Sequence, residues 1–555
     1  MEFVEGSSRE RFTWYDWVLI TTLAAYGMVA SVALLMVPRF FMPAEDAVIL
    51  WGYSRNLAMH GAITYIAGGP HTEGATDFAW MLLVAGAMRC GIDPFVFTAI
   101  VNVVCLIGLA MLLVHLAGAR LSMSRVLVVM GAACLFPQAF AAASGFATLP
   151  DAFLLTLLVV CVLKDRAWTA TFVALLFCLF RPDGVVFAVP LLLMMTLSGE
   201  MNLQRAAKVL VVFGGLGASY FFWRVWYFGE LFPLPFLVKS DAQRVIHTVI
   251  VGSVRTSLVF LLFSLLALLP VWRSQNNSFG KRLAVCLLVI PTLFYWGMRL
   301  DQNVGFRFFF YIPLAAGILV AVNWDALCDQ RTLLLRGGFA AWLVLMAMPM
   351  RRELRTFLDL QSPDLQDIAE QLGRLQSKGT MLSSEAGILP YYSEWASVDP
   401  WGLNTAEFAH RFFQAKDVGQ IAPDLIHLHA DENEHCVADP SLNGEERTWP
   451  QLIHNLVAGA DPAKYDLWLT SYGSAHYRLR KHWRYGEGDR DCWFVRKDAP
   501  THDAIVGILA TYHGVGGTTA QALEMHHVIM RVPVTGGQNF GLSGEGGRLL
   551  PKGGG

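Results

Sequence analysis

Eleven long apolar runs in the first 350 residues constrain the fold of this chain more than any other feature. Of its 555 residues 55% are hydrophobic and 15% are charged, against roughly 25% charged in soluble domains. Since a spanning helix needs about 20 apolar residues, the sequence predicts a polytopic α-helical membrane protein with about 11 transmembrane helices. The runs are 16–37, 96–117, 124–142, 150–163, 168–180, 184–199, 208–226, 256–272, 283–298, 308–325 and 333–350.

The charge and cysteine content exclude several classes of function. The net charge of −2 provides no basic excess to neutralise phosphates, which argues against a nucleic-acid partner. The nine cysteines show no spacing typical of a zinc site. Cys436 and Cys492 lie in the polar C-terminal third and could form a disulfide if that region is outside the cytoplasm.

The basic residues of the short loops set the predicted orientation. A further apolar run, 78–92, is interrupted by Gly86 and Arg89, and we expect it to be re-entrant or interfacial rather than spanning. The basic loops then all fall on one side, which the positive-inside rule makes the cytoplasm. We therefore expect a multi-pass protein of the bacterial inner (cytoplasmic) membrane with a cytoplasmic N-terminus. The basic residues are Arg9, Arg11, Arg120, Arg125, Lys164, Arg166, Arg205, Lys208, Arg273, Lys281, Arg282, Arg331 and Arg336.

Three regions follow from the composition. Residues 1–350 form the predicted transmembrane domain, with a first external loop over 38–95. Residues 351–535 mix charges with helical and strand-like patterns, which predicts a soluble α/β-type domain in the periplasm or outside the cell. Residues 536–555 are rich in glycine, and we expect a flexible tail.

Glu45 and Asp46 stand side by side after the first apolar run and close behind Pro43. A helix predicted over 44–58 places both acids in its first turn, near unpaired backbone N–H groups. The helix dipole favours their charged forms, whereas their mutual repulsion raises one pKa. One of them can then accept a proton from a substrate hydroxyl. The alternative is an ordinary acid pair at a helix start.

The acid pair opens a longer pattern that resembles the first external loop of the GT-C glycosyltransferases, polytopic enzymes that use lipid-phosphate sugars. It looks closest to the bacterial branch that contains the mycobacterial terminal β-arabinofuranosyltransferase. Members of that branch typically begin with two aspartates, so the resemblance leaves open which of the two acids here is the base. The pattern is Glu45-Asp46-Ala47-x-Ile49, Tyr53-x-Arg55-Asn56-Leu57, His60-Gly61, Gly68-Gly69, Glu73-Gly74, Thr76 and Trp80.

Further motifs in the same order extend the resemblance over most of the chain. Each motif alone is weak, and together they are fairly specific for the superfamily. They are Ser144-Gly145 with Thr148-Leu149-Pro150-Asp151-Ala152, Arg181-Pro182-Asp183-Gly184, the stretch 224–233 ending at Lys239, Gly305-Phe306-Arg307-Phe308, and the stretch 385–393 followed by Asp399 and Gly402-Leu403-Asn404.

Five basic residues lie at the external ends of predicted spans, against the positive-inside bias. Arginine offers phosphate a bidentate fork and lysine a point charge, so we expect some of them to bind the phosphate of a lipid donor. The alternative for each residue alone is contact with lipid headgroups. These residues are Arg181, Arg224, Lys239, Arg299 and Arg307.

A second group of residues is predicted to contact the substrate. Asp151 could instead cap its helix. The two adjacent tyrosines could stack on a sugar or pack in a core. The group consists of Tyr53, Arg55, Glu73, Asp151, Tyr391 and Tyr392.

The resemblance implies transfer of a sugar, with arabinofuranose as the first candidate, from a polyprenyl-phosphate donor to an extracytoplasmic glycan or glycoprotein, with inversion. A divalent metal is a candidate cofactor, although no closed ligand set is visible in the sequence. A transporter or flippase for lipid-linked sugars is the alternative, since it would explain charges and broken helices within the membrane. A glycan-binding scaffold without catalysis is a third.

Overall fold

The structure is a computed structural model of the chain, and it describes fourteen segments of the sequence. They are 28–29, 31–38, 41–116, 138–197, 203–240, 254–262, 278–298, 306–322, 363–430, 436–471, 490–512, 515–517, 540–542 and 549–551.

The described part of the chain before residue 350 is helical. Three of its helices, Pro94–Leu113, Ala206–Phe228 and Ser278–Trp296, contain windows long and apolar enough to cross a membrane. The labelled helices are α1 (Glu45–His60), α2 (Phe78–Arg89), α3 (Pro94–Leu116), α4 (Gln138–Ala143), α5 (Thr148–Leu163), α6 (Ala167–Phe180), α7 (Val185–Leu197), α8 (Leu203–Phe228), α9 (Leu234–Ser240), α10 (Ser278–Trp296) and α11 (Tyr311–Val322).

Most predicted apolar runs coincide with these helices. The runs 16–37, 124–142 and 256–272 are described only in part, and 333–350 lies outside the described residues. The expected break between two short helices is present, because a 3₁₀ turn over Pro182–Gly184 separates α6 from α7. Proline there removes a backbone donor and begins the next helical segment.

Helix α2 corresponds to the run that we expect not to cross the membrane. Its 12 residues rise by about 18 Å, less than the roughly 30 Å of a hydrocarbon core. One face, including Trp80 and Val84, is buried, while Leu82 and Leu83 on the other are exposed. The length of the helix therefore favours the interfacial interpretation.

The soluble domain contains a six-stranded mixed sheet in the order β2-β1-β3-β5-β4-β6. Strand β1 is parallel to β2 and β3, and the remaining pairs are antiparallel. The strands are β1 (Thr380–Ser383), β2 (Ala396–Val398), β3 (Leu425–Ala430), β4 (Tyr465–Ser471), β5 (Arg490–Arg496) and β6 (Val515–Gly517). The helices are α12 (Pro363–Gly373), α13 (Ile388–Ser393), α14 (Ala406–His410), α15 (Ala415–Ile421), α16 (Trp449–Gly459) and α17 (His502–Thr511). Strands and helices thus both occur in this region, as the sequence predicts, whereas its bounds as a soluble domain stay a prediction.

Both faces of the sheet are buried, because successive side chains of a strand point to opposite sides. On β5, Phe494 packs with Leu452 of α16 in one cluster. Trp493 belongs to the other cluster, which continues through the soluble domain to Val48 and Trp51 of α1. The soluble domain and the first loop of the membrane part thus share one hydrophobic core.

Two C-terminal features relate to predictions from composition. Cys436 and Cys492 form a disulfide with their Cα atoms 5.9 Å apart. Within the predicted tail 536–555, strands β7 (Phe540–Leu542) and β8 (Leu549–Pro551) pair antiparallel. These two short strands differ from the expected flexible segment because their apolar residues flank a Gly-rich stretch, as in a hairpin.

Candidate functional site

A cavity of about 170 Å³ lies where the first loop, the N-terminus of α5, helix α9 and the soluble domain meet. Its charged lining combines three carboxylates with three cations. They are Asp46, Asp77, Asp151, Arg181, Lys239 and Arg307. The sequence predicts five of these six as site residues.

Asp46 and Arg307 form the central ion pair of this cavity. Asp46 lies in the first turn of α1, and Arg307 Nη2 donates to its Oδ2 at 2.6 Å. The guanidinium stacks 4.2 Å from the centroid of Phe146. The side chain of Asp46 is 21% exposed and that of Arg307 11%, so both border the cavity while remaining largely enclosed.

Arg181 lies deeper and links three parts of the site. It donates two hydrogen bonds to Asp183, at 2.9 and 2.6 Å, and one to the backbone oxygen of Arg307 at 3.2 Å. Asp183 also accepts a hydrogen bond from Tyr295 of α10. Asp151 Oδ2 is 3.5 Å from Arg181 Nη1, while its Oδ1 has no hydrogen-bond partner among the described residues. The predicted helix break therefore places a fixed positive charge beside the cavity.

Lys239 is the third cation of the cavity lining. It lies in the last turn of α9, with its Nζ 5.7 Å from the ring centroid of Phe308. With Arg181, Lys239 and Arg307 in its lining, the cavity can accommodate an anionic group such as a phosphate.

Glu45 points away from the cavity into the soluble domain. Its Oε1 accepts from the backbone N–H of Gly387, and both its carboxylate oxygens accept from Ile388 N–H at 3.0 Å. Burial, with the nearby Glu385, raises the pKa of the Glu45 carboxyl well above its ordinary value. The two acids that the sequence leaves equivalent therefore have different surroundings, and only Asp46 lines the cavity.

Two predicted site residues pair with each other outside the cavity lining. Arg224 Nε donates to Glu73 Oε2 at 2.5 Å, and its Nη1 donates to the Leu231 carbonyl at 2.8 Å. Both side chains are buried. This pair fixes the first loop to the end of α8. The predicted phosphate-binding role of Arg224 stays a prediction.

Four residues that the sequence predicts to contact the substrate lie where the first loop meets the soluble domain. Tyr53 is fully buried and donates to Asn404 Oδ1 at 3.1 Å. Arg55 donates to the carbonyl of Tyr391 at 2.6 Å and lies 4.5 Å from its ring centroid. Tyr391 and Tyr392 contact each other edge to face. None of these four residues lines the described cavity, and Arg299 lies outside the described residues.

Asp77 is the cavity carboxylate that sequence reasoning missed. It directly precedes α2 and accepts from the hydroxyl of Thr76 at 3.3 Å. Burial raises the pKa of its carboxyl, although Arg181 and Arg307 oppose that effect. A Thr-Asp pair before an apolar run is also a common helix start, so the sequence signal for a site was weak.

The described residues contain no group of three or more His, Cys, Asp and Glu side chains placed to hold a metal ion. Each cavity carboxylate instead has a partner of another kind: Asp46 pairs with Arg307, Asp151 lies 3.5 Å from Arg181, and Asp77 accepts from Thr76. The cavity is arranged as a set of opposite charges.

Comparisons with known proteins agree with this architecture. A domain of unknown function (DUF8728) matches residues 356–495, within the soluble domain. No curated protein matches the chain. The crystal structure of ArnT from Cupriavidus metallidurans bound to undecaprenyl phosphate aligns with a TM-score of 0.51 at 14% identity, over 75% of this chain and 93% of ArnT. The chain has the fold of ArnT. This likeness confirms a polytopic helical membrane protein, whereas the number of spans stays a prediction.

Proposed function

We propose that this protein is a membrane glycosyltransferase of the GT-C type that uses a polyprenyl-phosphate sugar as donor. The observation that carries the proposal is the cavity in which the Asp46 carboxylate lies beside Arg307, with Arg181 and Lys239 also in the lining. A base for an acceptor hydroxyl and cations for a donor phosphate are the two things that such a transfer needs. The fold shared with ArnT, whose crystal structure contains undecaprenyl phosphate, supports this donor class.

The proposed reaction is a direct displacement. The donor phosphate binds Arg307 and Lys239 and thereby releases Asp46 from its 2.6 Å pair with Arg307. Asp46 takes the proton of the acceptor hydroxyl, whose oxygen forms a bond to the anomeric carbon. The bond from that carbon to the phosphate oxygen breaks, and the polyprenyl phosphate leaves with the electron pair. One displacement inverts the anomeric centre. The leaving phosphate needs no general acid because its pKa is already low.

The substrate and the compartment are the finer parts of the proposal. Arabinofuranose is the first sugar to test, since the sequence resembles the arabinofuranosyltransferase branch. The acceptor is an extracytoplasmic glycan or glycoprotein. The disulfide between Cys436 and Cys492 supports a periplasmic or external soluble domain, because disulfides persist in oxidising compartments. The cytoplasmic N-terminus follows from the loop charges.

The test is incubation of the purified full-length protein with defined polyprenyl-phosphate sugars and oligosaccharide acceptors. We expect mass analysis to show an acceptor heavier by one sugar, together with release of the polyprenyl phosphate. Intact donor that moves between the leaflets of a vesicle, with unmodified acceptor, would instead identify a flippase.

A further inference from the structure

We propose that the soluble domain holds the cavity in its working geometry, with Glu45 and Asn404 as the positioning residues. The inference rests on the proposed glycosyltransferase function, and it assigns a role to the domain of unknown function. Three contacts of the described residues, each made to a different segment that lines the cavity, support it.

The first contact fixes the start of α1. The Glu45 carboxylate binds the N–H groups of Gly387 and Ile388, at the beginning of α13. Gly387 has no room for a side chain, because a Cβ atom would overlap the backbone oxygen of Glu45. Asp46 is the next residue along α1. The soluble domain therefore sets the position of the residue that carries the proposed base.

The second contact fixes the loop that leads to Asp77. Tyr53 accepts from the N–H of Gly74, a cavity-lining residue, and donates to Asn404 Oδ1, both at 3.1 Å. The Asn404 amide is held in turn by Asp399 Oδ2 at 2.9 Å. All three side chains in this series, Tyr53, Asn404 and Asp399, are at most 2% exposed. Burial excludes water from these groups, so each of them depends on its protein partners for hydrogen bonds.

The third contact fixes α9, which carries Lys239. Leu234 and Val238 of this helix form a buried cluster with Ala409 of α14. Leu403, one residue before Asn404, belongs to the edge of that cluster and also lines the cavity. The start of α1, which carries Asp46, and helix α9, which carries Lys239, thus both contact the soluble domain.

The position of a reacting group strongly affects the rate of a reaction. A displacement of about 1 Å at such a group lowers the rate roughly 100-fold. Neither Glu45 nor Asn404 lines the cavity, so neither contacts a substrate there. Removal of either side chain should therefore lower kcat and leave KM for the donor nearly unchanged, as expected for a positioning residue.

The test compares Glu45→Ala and Asn404→Ala with Glu446→Ala and Asn443→Ala in the full-length protein. Glu446 and Asn443 are exposed residues of the same soluble domain and serve as matched controls. Amide hydrogen exchange is measured over 72–77 and 387–388, and transfer is measured with a polyprenyl-phosphate sugar. Glu45→Gln, which keeps one oxygen acceptor for the two N–H groups, serves as the conservative variant.

We expect Asn404→Ala to speed exchange over 72–77 and Glu45→Ala to speed exchange at Gly387 and Ile388. In both, kcat should fall by roughly 10- to 100-fold while KM for the donor stays within about threefold, and Glu45→Gln should recover much of the loss. Unchanged exchange and unchanged kcat in both alanine variants would overturn the inference. If the wild type transfers no sugar at all, the proposed function fails, and the exchange measurements still decide whether the soluble domain fixes these segments.

Discussion

At the scale of single residues, Glu45 and Asp46 show how adjacent acids acquire different tasks. The longer side chain of Glu45 reaches the soluble domain, whereas Asp46 borders the cavity and pairs with Arg307. The sequence resemblance, with its usual pair of aspartates, cannot distinguish the two. The contacts of each carboxylate can, and they make Asp46 the better candidate for the base.

We expect Asp46→Asn to lower the rate of sugar transfer by about 10²- to 10⁴-fold, the range for loss of a general base. The amide keeps the size of the side chain but cannot take the proton. Transfer is measured as product formed under saturating donor. Asp503→Asn, at a fully exposed aspartate of the soluble domain, is the control and should retain full activity.

Asp77→Asn tests the cavity carboxylate that sequence reasoning missed. Asp77 accepts a hydrogen bond from the Thr76 hydroxyl, whereas Asp46 pairs with Arg307. We expect a loss of about tenfold or less, well below that of a general base. Full activity in Asp46→Asn together with a large loss in Asp77→Asn would move the role of base to Asp77.

Arg307→Lys tests the phosphate side of the cavity. Lysine keeps the charge but loses the planar fork and the 4.2 Å stacking on Phe146. We expect the affinity for polyprenyl phosphate to fall by about tenfold, which corresponds to about 1.4 kcal/mol. Binding is measured by thermal shift against lipid concentration. Arg374→Lys, at an arginine that is 76% exposed, should bind as the wild type does.

At the scale of elements, the junction between α1 and α13 depends on a glycine. A Cβ at Gly387 would overlap the Glu45 backbone. We expect Gly387→Ala to destabilise the protein by about 1–3 kcal/mol, since an extra methyl group in a packed site forces the backbone to move. The unfolding temperature of the protein in detergent measures this change.

Gly419 provides the matched substitution for Gly387. It lies inside α15, and its Cβ position has no heavy atom within 4 Å. Alanine is favoured over glycine in a helix by about 0.5–1 kcal/mol, so Gly419→Ala should stabilise the protein slightly. Equal effects at the two glycines would contradict the close packing of α1 on α13.

Strands β3 and β5 are joined by a buried polar contact with a predictable pH dependence. Burial opposes ionisation of Asp491, but His427 and His429 outweigh it and hold the pKa of Asp491 well below its ordinary value. The ionised carboxylate therefore contributes stability above about pH 4, the unfolded pKa, and this contribution is lost as the pH falls through the lower folded pKa. Asp491→Asn should lower the unfolding temperature at pH 7, with a difference from wild type that shrinks toward pH 3. A difference that grows on acidification would contradict this sign.

Local patterns predicted the elements better than their contacts. Long apolar runs located α3, α5, α6 and α8. The partner of Glu45 was not predictable, because Gly387 lies 342 positions further along the chain and a backbone N–H group carries no sequence signal. The pairing of Arg224 with Glu73 was hidden for the same reason, since 151 positions separate the two residues.

At the scale of the whole molecule, the disulfide between Cys436 and Cys492 closes a loop across 56 residues. Closing such a loop restricts the unfolded chain, so replacing both cysteines by serine should lower the free energy of unfolding by about 2–4 kcal/mol. Denaturant unfolding with and without reductant measures the loss. Cys90→Ser, at an exposed free cysteine, should have no comparable effect. A double variant as stable as the wild type would show that the bond is absent in the native protein.

The cavity residues that could be found from the sequence are those whose charge is unfavourable at their predicted location. Arg181, Arg307 and Lys239 were identifiable because a cation at the predicted external end of a span is unfavourable unless it has a function. Asp77 and the role of Asn404 were not, since an acid before a helix and an asparagine in a loop are ordinary residues there. The contact of Asn404 with Tyr53 becomes visible only once the soluble domain packs on the first loop.

The contact between Glu45 and Gly387 can form only late in the synthesis of the chain. The ribosome adds 342 residues to the chain after Glu45 before it has added Gly387, at about 5–20 residues per second, so the start of α1 is about 20–70 s old when its partner is made. Until then the cavity lacks the contact that positions Asp46. A chain cut short before residue 387 by stalled synthesis or by proteolysis would never form this contact, and under the proposed function its sugar transfer would be impaired.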